Sequence, residues 1–150
     1  MRVVIQRVQE ASVVIKDVKI ADITEGVLIL LGVEDTDTEQ DITWLTAKIS
    51  NLRIFSDENG LMNRSITDIQ GQMLVVSQFT LHASTKNGNR PSFLQAAKPP
   101  IAIPLYERFV VKLRETTQLT VLTGVFGADM KVSLMNDGPV TIIIDSKNRT

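Results

Sequence analysis

The order in which two periodicities occur along this chain is what most restricts its fold. Runs of β-branched and apolar residues at Val3–Val8, Ser12–Ile15 and Val27–Val33 come first, the last after a turn at Glu25-Gly26. Helical spacing then takes over at 38–51, where Ile42, Leu45, Ile49 and Leu52 recur and Asp37 or Thr38 can cap the first turn. Asp57 to Gly60 reads as a turn, and Met73–Leu81 is the strongest strand candidate in the middle of the chain. After "KPPIAIP", a second helix carries Tyr106, Phe109, Val110 and Leu113 on one face. Strands at Leu119–Leu122, Lys131–Met135 and Val140–Ile144 complete the chain. Strands outnumber helices, and the helices are far apart. The pattern predicts an α+β domain: largely antiparallel, sandwich- or barrel-like sheet with two main helices packed on one side. No glycine-rich phosphate loop follows a strand, which argues against a doubly wound nucleotide-binding fold. With 150 residues and no repeat or linker, one domain spanning 1–150 is expected.

Ser133–Asp145, "SLMNDGPVTIIID", is built for a sheet yet is cut by Asn136-Asp137-Gly138-Pro139. Asn, Asp and Gly tolerate positive φ, and Pro fixes φ and lacks a donor, so turn chemistry between two strands accounts for it.

Composition narrows the chemistry. There is no cysteine, hence no disulfide, thiolate nucleophile or thiolate metal site, and the single histidine, His82, argues against a His-rich zinc centre. The alternating N-terminus lacks the pattern of a signal peptide, and the longest apolar run, Val27–Leu31, is too short to span a membrane. A cytoplasmic protein with no membrane partner, no cofactor and no metal is expected. Net charge is −1, but all 17 acidic residues lie outside Ile69–Tyr106, which keeps Lys86, Arg90 and Lys98. That stretch can present a local positive field to phosphate. The cluster Glu34, Asp35, Asp37, Glu39 and Asp41 suits a helix N-terminus.

Along "VVSQFTLHA", strand alternation would put Ser77, Phe79 and Leu81 on one face and Gln78, Thr80 and His82 on the other. Two readings stay open: a strand end emerging into solvent, or a site in which Thr80 is nucleophile or positioner and His82 its base. Residues two apart on a strand lie roughly 6.5–7 Å apart at Cα, which disfavours a direct Thr80–His82 hydrogen bond. A hydrolase so poor in acid–base groups would need a reactive ester, positioning and backbone oxyanion donors. In the loop Thr85–Phe93, Lys86 and Arg90 could hold phosphates, the backbone at Gly88 could approach closely and Phe93 could stack a base. An ordinary solvated loop with one core-facing Phe is the alternative.

"SQFTL" (77–81), "NRPSF" (89–93), "FGADM" (126–130) and "NDGPVT" (136–141), in this order after the opening "RVVIQRV…ASV", closely resemble the D-aminoacyl-tRNA deacylase family over essentially the whole chain. The resemblance implies a homodimer that hydrolyses D-aminoacyl-tRNA. In that family a cis Gly-Pro, here Gly138-Pro139, enters the partner subunit's site and rejects L side chains with backbone carbonyls. Such a filter cannot exclude glycine, so glycyl-tRNA mischarged on tRNA-Ala is an expected second substrate. The resemblance carries Ser77, Gln78, Phe79 and Thr80 over as catalytic, with the Phe79 N–H as oxyanion donor and Thr80 as positioner. Lys86, Gly88, Arg90, Pro91, Ser92 and Phe93 of the loop, with Asn136, are expected to bind substrate and tRNA, and the resemblance places Ala102 and Met130 at the 3′-terminal adenosine. Water assisted by the terminal 2′-hydroxyl is the expected attacking group. The chain departs from the family pattern at His82, where Tyr or Ala is usual, at Ser84, where Asp is usual, and in the proline-rich Pro99–Pro104. A nucleic-acid-binding module without catalysis is the competing reading; it has no use for a chirality filter.

Overall fold

The computed structural model describes residues 1–149. The two runs predicted near the N-terminus fuse into one long strand, β1 (Arg2–Ile15), which turns at once into β2 (Val18–Ile23) and β3 (Gly26–Gly32). Helix α1 (Glu39–Asn51), the small hairpin β4 (Phe55–Ser56) and β5 (Met62–Arg64), and strand β6 (Gln72–Ser77) follow. A 3₁₀ turn (Phe79–His82), helix α2 (Pro99–Thr117), β7 (Val121–Thr123) and β8 (Lys131–Asp145) complete the chain.

β1 pairs antiparallel with β3 through its first half and with β2 through its second, while β8 runs antiparallel along its other edge. β6 joins parallel to β3, and β7 parallel to β6. The sheet is therefore mixed: antiparallel as expected around β1, parallel around β6. Its ends curl until β2 meets β6 and β7 across a second core of Val13, Ala21, Ile23, Leu28, Leu74 and Val76. The opposite face is covered by both helices over Ile29, Leu31, Met73, Val75, Leu45, Phe109 and Leu113. Burial on both faces explains why β3 and β6 read as unbroken apolar runs.

Sequence chemistry sets the helix ends. The Asp41 carboxylate accepts the Thr38 backbone N–H at 2.8 Å and the Lys147 ammonium at 2.8 Å, joining the start of α1 to the chain after β8. The "KPPIAIP" segment belongs to α2 and does not merely lead to it. Pro99 and Pro100 occupy the first turn, where no intrahelical N–H bond is lost, and Ala102 N–H reaches the Lys98 carbonyl at 2.8 Å.

β8 corrects the reading of "NDGPVT". Both halves of the strand run along β1 in one direction, so Asn136–Pro139 is no hairpin turn. The register slips on either side of Val8, and the residues opposite Arg7 bulge out of the ladder.

Candidate active site

β6 runs buried from Met73 to Val76 and leaves the sheet at Ser77. Gln78 N–H makes a last bond to the Leu31 carbonyl, 2.8 Å, and the backbone then winds into the 3₁₀ turn. Leu81 N–H bonds the Gln78 carbonyl at 3.2 Å and Ala83 N–H the Thr80 carbonyl at 3.1 Å. The turn replaces the strand alternation expected for 77–82. Phe79 and Thr80 are lifted to the surface, and His82 drops back to 2% exposure.

His82 lies against Gly32, where an added Cβ would stand 3.0 Å from its Cδ2, and its Nε2 has no hydrogen-bond partner. Thr80 Oγ1 instead accepts a short hydrogen bond from Gln78 Nε2. An amide can orient that hydroxyl but cannot take its proton. The Thr80 hydroxyl is thus held by Gln78, and His82 Nε2 makes no hydrogen bond to it.

Beside the turn lies a cleft of about 330 Å³. Ser77, Gln78 and Phe79 form one wall, Ala97 and Ala102 another, and Phe126 to Met130 the third. Tyr106 supports it from below. Its hydroxyl donates to the Val75 carbonyl at 3.0 Å, its ring meets Phe126 edge-on at 5.7 Å, and burial pushes its pKa up to about 12, so it remains a neutral donor. Gly124 leaves room for the Met130 sulfur, which lies where a side chain at 124 would begin.

Ser84 and Ser92 exchange backbone hydrogen bonds of 2.8 and 2.9 Å, closing the loop between them. Lys86, Gly88, Arg90 and Pro91 are exposed in that loop, Gly88 at φ +86°. Arg90 and exposed Ser92 line a separate depression of about 230 Å³. Phe93 is half-buried, not a core residue, and its ring meets Phe79 edge-on at 5.1 Å. Among the described residues no three His, Asp or Glu side chains are grouped to hold a metal ion.

The Gly138-Pro139 peptide is cis, and both residues are exposed on the β8 bulge. Arg7 Nε donates to the Asp137 carbonyl at 3.0 Å and lies 3.4 Å from its carboxylate, while Nη1 donates to the Ile54 carbonyl at 2.6 Å. Asn136 closes the bulge from the other side: its Oδ1 accepts Val140 N–H at 3.0 Å and its Nδ2 donates to Thr141 Oγ1 at 2.9 Å. Gly138 has φ +130°, and a Cβ there would stand 2.9 Å from Arg7 Nη2. Only glycine fits without displacing that brace.

Residues 4–145 match the family described as D-Tyr-tRNA(Tyr) deacylase. A D-aminoacyl-tRNA deacylase from Flavobacterium johnsoniae is 61% identical, and one from Parabacteroides distasonis 60%, each over 99% of both chains. The chain belongs to the D-Tyr-tRNA(Tyr) deacylase family. Among solved structures, the c-Myc DNA Unwinding Element Binding Protein superposes with a TM-score of 0.91 at 40% identity, covering 97% of this chain and 98% of its own.

For a member of this deacylase family, the expected residues fall in three places, the loop that carries Lys86 to Ser92 being one. Ser77, Gln78, Phe79, Ala102 and Met130 line one cleft, with Thr80 hydrogen-bonded to Gln78 and Phe93 against Phe79. Gly138, Pro139 and Asn136 do not join them. The ladders place Asn136 beside Val8, Gly26 and Gln72, whereas Ser77 lies beside Leu31 and Val3, about 16 Å further along the strands. The bulge thus stands midway along β8, level with the start of β6, while the cleft of the same chain opens where β6 ends. Arg7, Gly124 and Tyr106 were not singled out from the sequence as site residues. Arg7 carried one available signal, a cation within an alternating β-run.

Proposed function

We propose that this protein hydrolyses the ester of D-aminoacyl-tRNA, releasing D-amino acid and tRNA, as a homodimer whose sites are completed across the subunit interface. The observation behind the reading is the separation just described: a cleft at the C-terminal end of β6, and midway along β8, level with the start of β6, an exposed, braced glycine–proline bulge that its own cleft cannot use. A two-fold partner offers each cleft the other chain's bulge. Exposed Leu134, Met135 and Ile143 on β8 supply an apolar surface for such a partner.

In this arrangement the Gly138-Pro139 backbone faces the substrate α-carbon and leaves no room for an L side chain. Selectivity comes from rejection, so a substrate lacking a side chain passes, and glycyl-tRNA mischarged on tRNA-Ala is a second substrate. The Phe79 N–H holds the developing oxyanion. Gln78 orients Thr80, and the terminal ribose 2′-hydroxyl assists water at the ester carbon. Met130 and the wall at Ala102 receive the 3′-terminal adenosine. Lys86 and Arg90, with Gly88, Pro91 and Ser92 shaping their loop, meet tRNA phosphates, and Phe93 backs Phe79. Asn136 serves the substrate indirectly by shaping the bulge. The reaction calls for no cofactor. No helix among the described residues is long and apolar enough to cross a membrane. We place the protein in the cytoplasm, where charged tRNA is found.

The test is release of amino acid from D-tyrosyl-tRNA and L-tyrosyl-tRNA, side by side, with chelator present. Loss of the D ester alone is expected. Equal loss of both would leave an esterase and remove the filter. Loss of neither, with tRNA or DNA still bound, would replace the enzyme by a binding module.

A further inference from the structure

The turn that carries Phe79 and Thr80 is short, and 3₁₀ hydrogen bonds are poorly aligned, so its orientation depends on what holds it from outside. Its internal bonds use the Gln78 and Thr80 carbonyls. The Leu81 carbonyl, immediately after Thr80, is taken by a side chain from another strand: Arg2 Nη1 donates to it at 2.7 Å.

Arg2 is itself fixed. It stands opposite Asp145 in the β1–β8 ladder, and Asp145 Oδ2 accepts Arg2 Nε at 2.9 Å and lies 2.8 Å from Nη2. The other carboxylate oxygen accepts the backbone N–H groups of Lys147 at 2.9 Å and Asn148 at 3.2 Å. Burial alone would raise the Asp145 carboxyl pKa, but these N–H bonds and the Arg2 guanidinium bring it below the ordinary carboxylate range. The pair stays ionised at neutral pH. A guanidinium can fork onto one carboxylate and still present a third N–H to a carbonyl, whereas an ammonium has no such fixed geometry. From the inner side, His82 packs on Gly32. The turn is thus gripped by a buried ring below and a charged clamp at its edge.

We propose that Arg2, oriented by Asp145, is a positioning residue for the reaction. It fixes the Leu81 peptide and, through it, the Phe79 N–H and the Thr80 hydroxyl relative to the ester. This rests on the deacylase reading. It adds a second duty for β8, which offers Gly138-Pro139 at its middle and at its C-terminal end braces the turn of its own chain.

The test uses the full chain with D-tyrosyl-tRNA, measuring kcat, KM, thermal midpoint and amide hydrogen exchange. Arg2→Met keeps the aliphatic stem and removes the donors; Arg2→Lys keeps the charge without the fork; Asp145→Asn keeps the shape. For Arg2→Met, kcat falls roughly tenfold, because small misplacements of a reacting group are costly. KM stays within about twofold, since ground-state binding of the tRNA is untouched. Arg2→Lys recovers part of the loss, and the Arg2→Met/Asp145→Asn pair is no slower than Arg2→Met alone, because the two act as a unit. Exchange at Leu81 and Ala83 quickens while Met73 to Val76 stays protected.

Unchanged kcat and exchange in Arg2→Met would overturn the proposal. So would a raised KM at constant kcat, which would make Arg2 a tRNA contact. A general loss of protection with a lower thermal midpoint would reduce the clamp to fold maintenance. An inactive parent protein would overturn the deacylase reading and with it the catalytic role of the clamp. An active parent with an unaffected Arg2→Met would overturn the clamp alone.

Discussion

Gly138 is the residue whose identity is most tightly determined by its surroundings. Its φ is +130°, and an added Cβ would stand 2.9 Å from both Arg7 Nη2 and Val140 Cγ2. Gly138→Ala must displace Arg7, and Arg7 also holds the Asp137 and Ile54 carbonyls. The expected outcome is loss of D-ester hydrolysis with little change in thermal midpoint, checked by the tyrosyl-tRNA assay and calorimetry on the same preparations. Gly124 makes a gentler case. A methyl there would push the Met130 thioether toward the cleft. Gly124→Ala should raise KM several-fold, roughly the cost of one poorly placed apolar contact, and leave kcat nearly unchanged. Tyr106→Phe removes one of two donors to the buried Val75 carbonyl, which keeps the Gly124 N–H at 3.1 Å, and is expected to lower unfolding free energy by about 0.5–1.5 kcal/mol, read from urea melts.

At the scale of elements, the joint between α1 and the end of β8 is electrostatic. Asp41 meets the ammonium of Lys147 and the N–H of Thr38, and these bonds, working against burial, hold its carboxyl well below the ordinary range. Because the folded-state pKa is depressed, this contribution is fully present above the unfolded carboxylate value. It is lost as pH falls through the folded one. Urea midpoints should therefore drop as pH goes below about 4, the ordinary carboxylate range, and Asp41→Asn should flatten that acid limb while lowering the plateau at neutral pH. An acid limb of unchanged slope in Asp41→Asn would refute the assignment. The elements also show where sequence reading stops. The helix α1 and the strand at Met73–Val76 were legible because one has a clear helical apolar period and the other an unbroken apolar run. The exit of β6 at Ser77 was not, because "SQFTL" continues the β-like composition while the backbone winds up. The same failure occurs at "KPPIAIP", where proline signals a break yet the first helical turn accepts Pro99 and Pro100, and the helix continues through Pro104.

At the scale of the molecule, the prediction that matters is complementation. If each site joins one chain's turn to the other chain's bulge, a Gln78→Ala/Thr80→Ala variant and a Gly138→Ala variant damage different halves of it. Mixed under exchange conditions, they form heterodimers with one intact site and one doubly damaged site. Activity should return to about one quarter of the parent value at equal mixing in a two-fold dimer. No recovery, with exchange verified by mass, would place turn and bulge in the same chain. Ile143→Glu puts a charge on exposed apolar β8 surface, and sedimentation should then report monomer together with loss of hydrolysis.

The class of fold, the two helices with their buried faces, and the ordered motifs that mark the family can be read along the chain. These are local or nearly local properties: apolar period, turn chemistry and short runs of fixed residues. Only the tertiary structure decided that "NDGPVT" is a bulge in one continuous strand, because that depends on both halves pairing with β1. It alone put Ser77, Ala102 and Met130 on one cleft, brought Arg7 under Gly138 and brought Arg2 to the Leu81 carbonyl. Those contacts join residues far apart in the chain, and no periodicity encodes them. The sheet register fixes them, since a slip of one residue would turn every side chain of β1 or β8 to the other face.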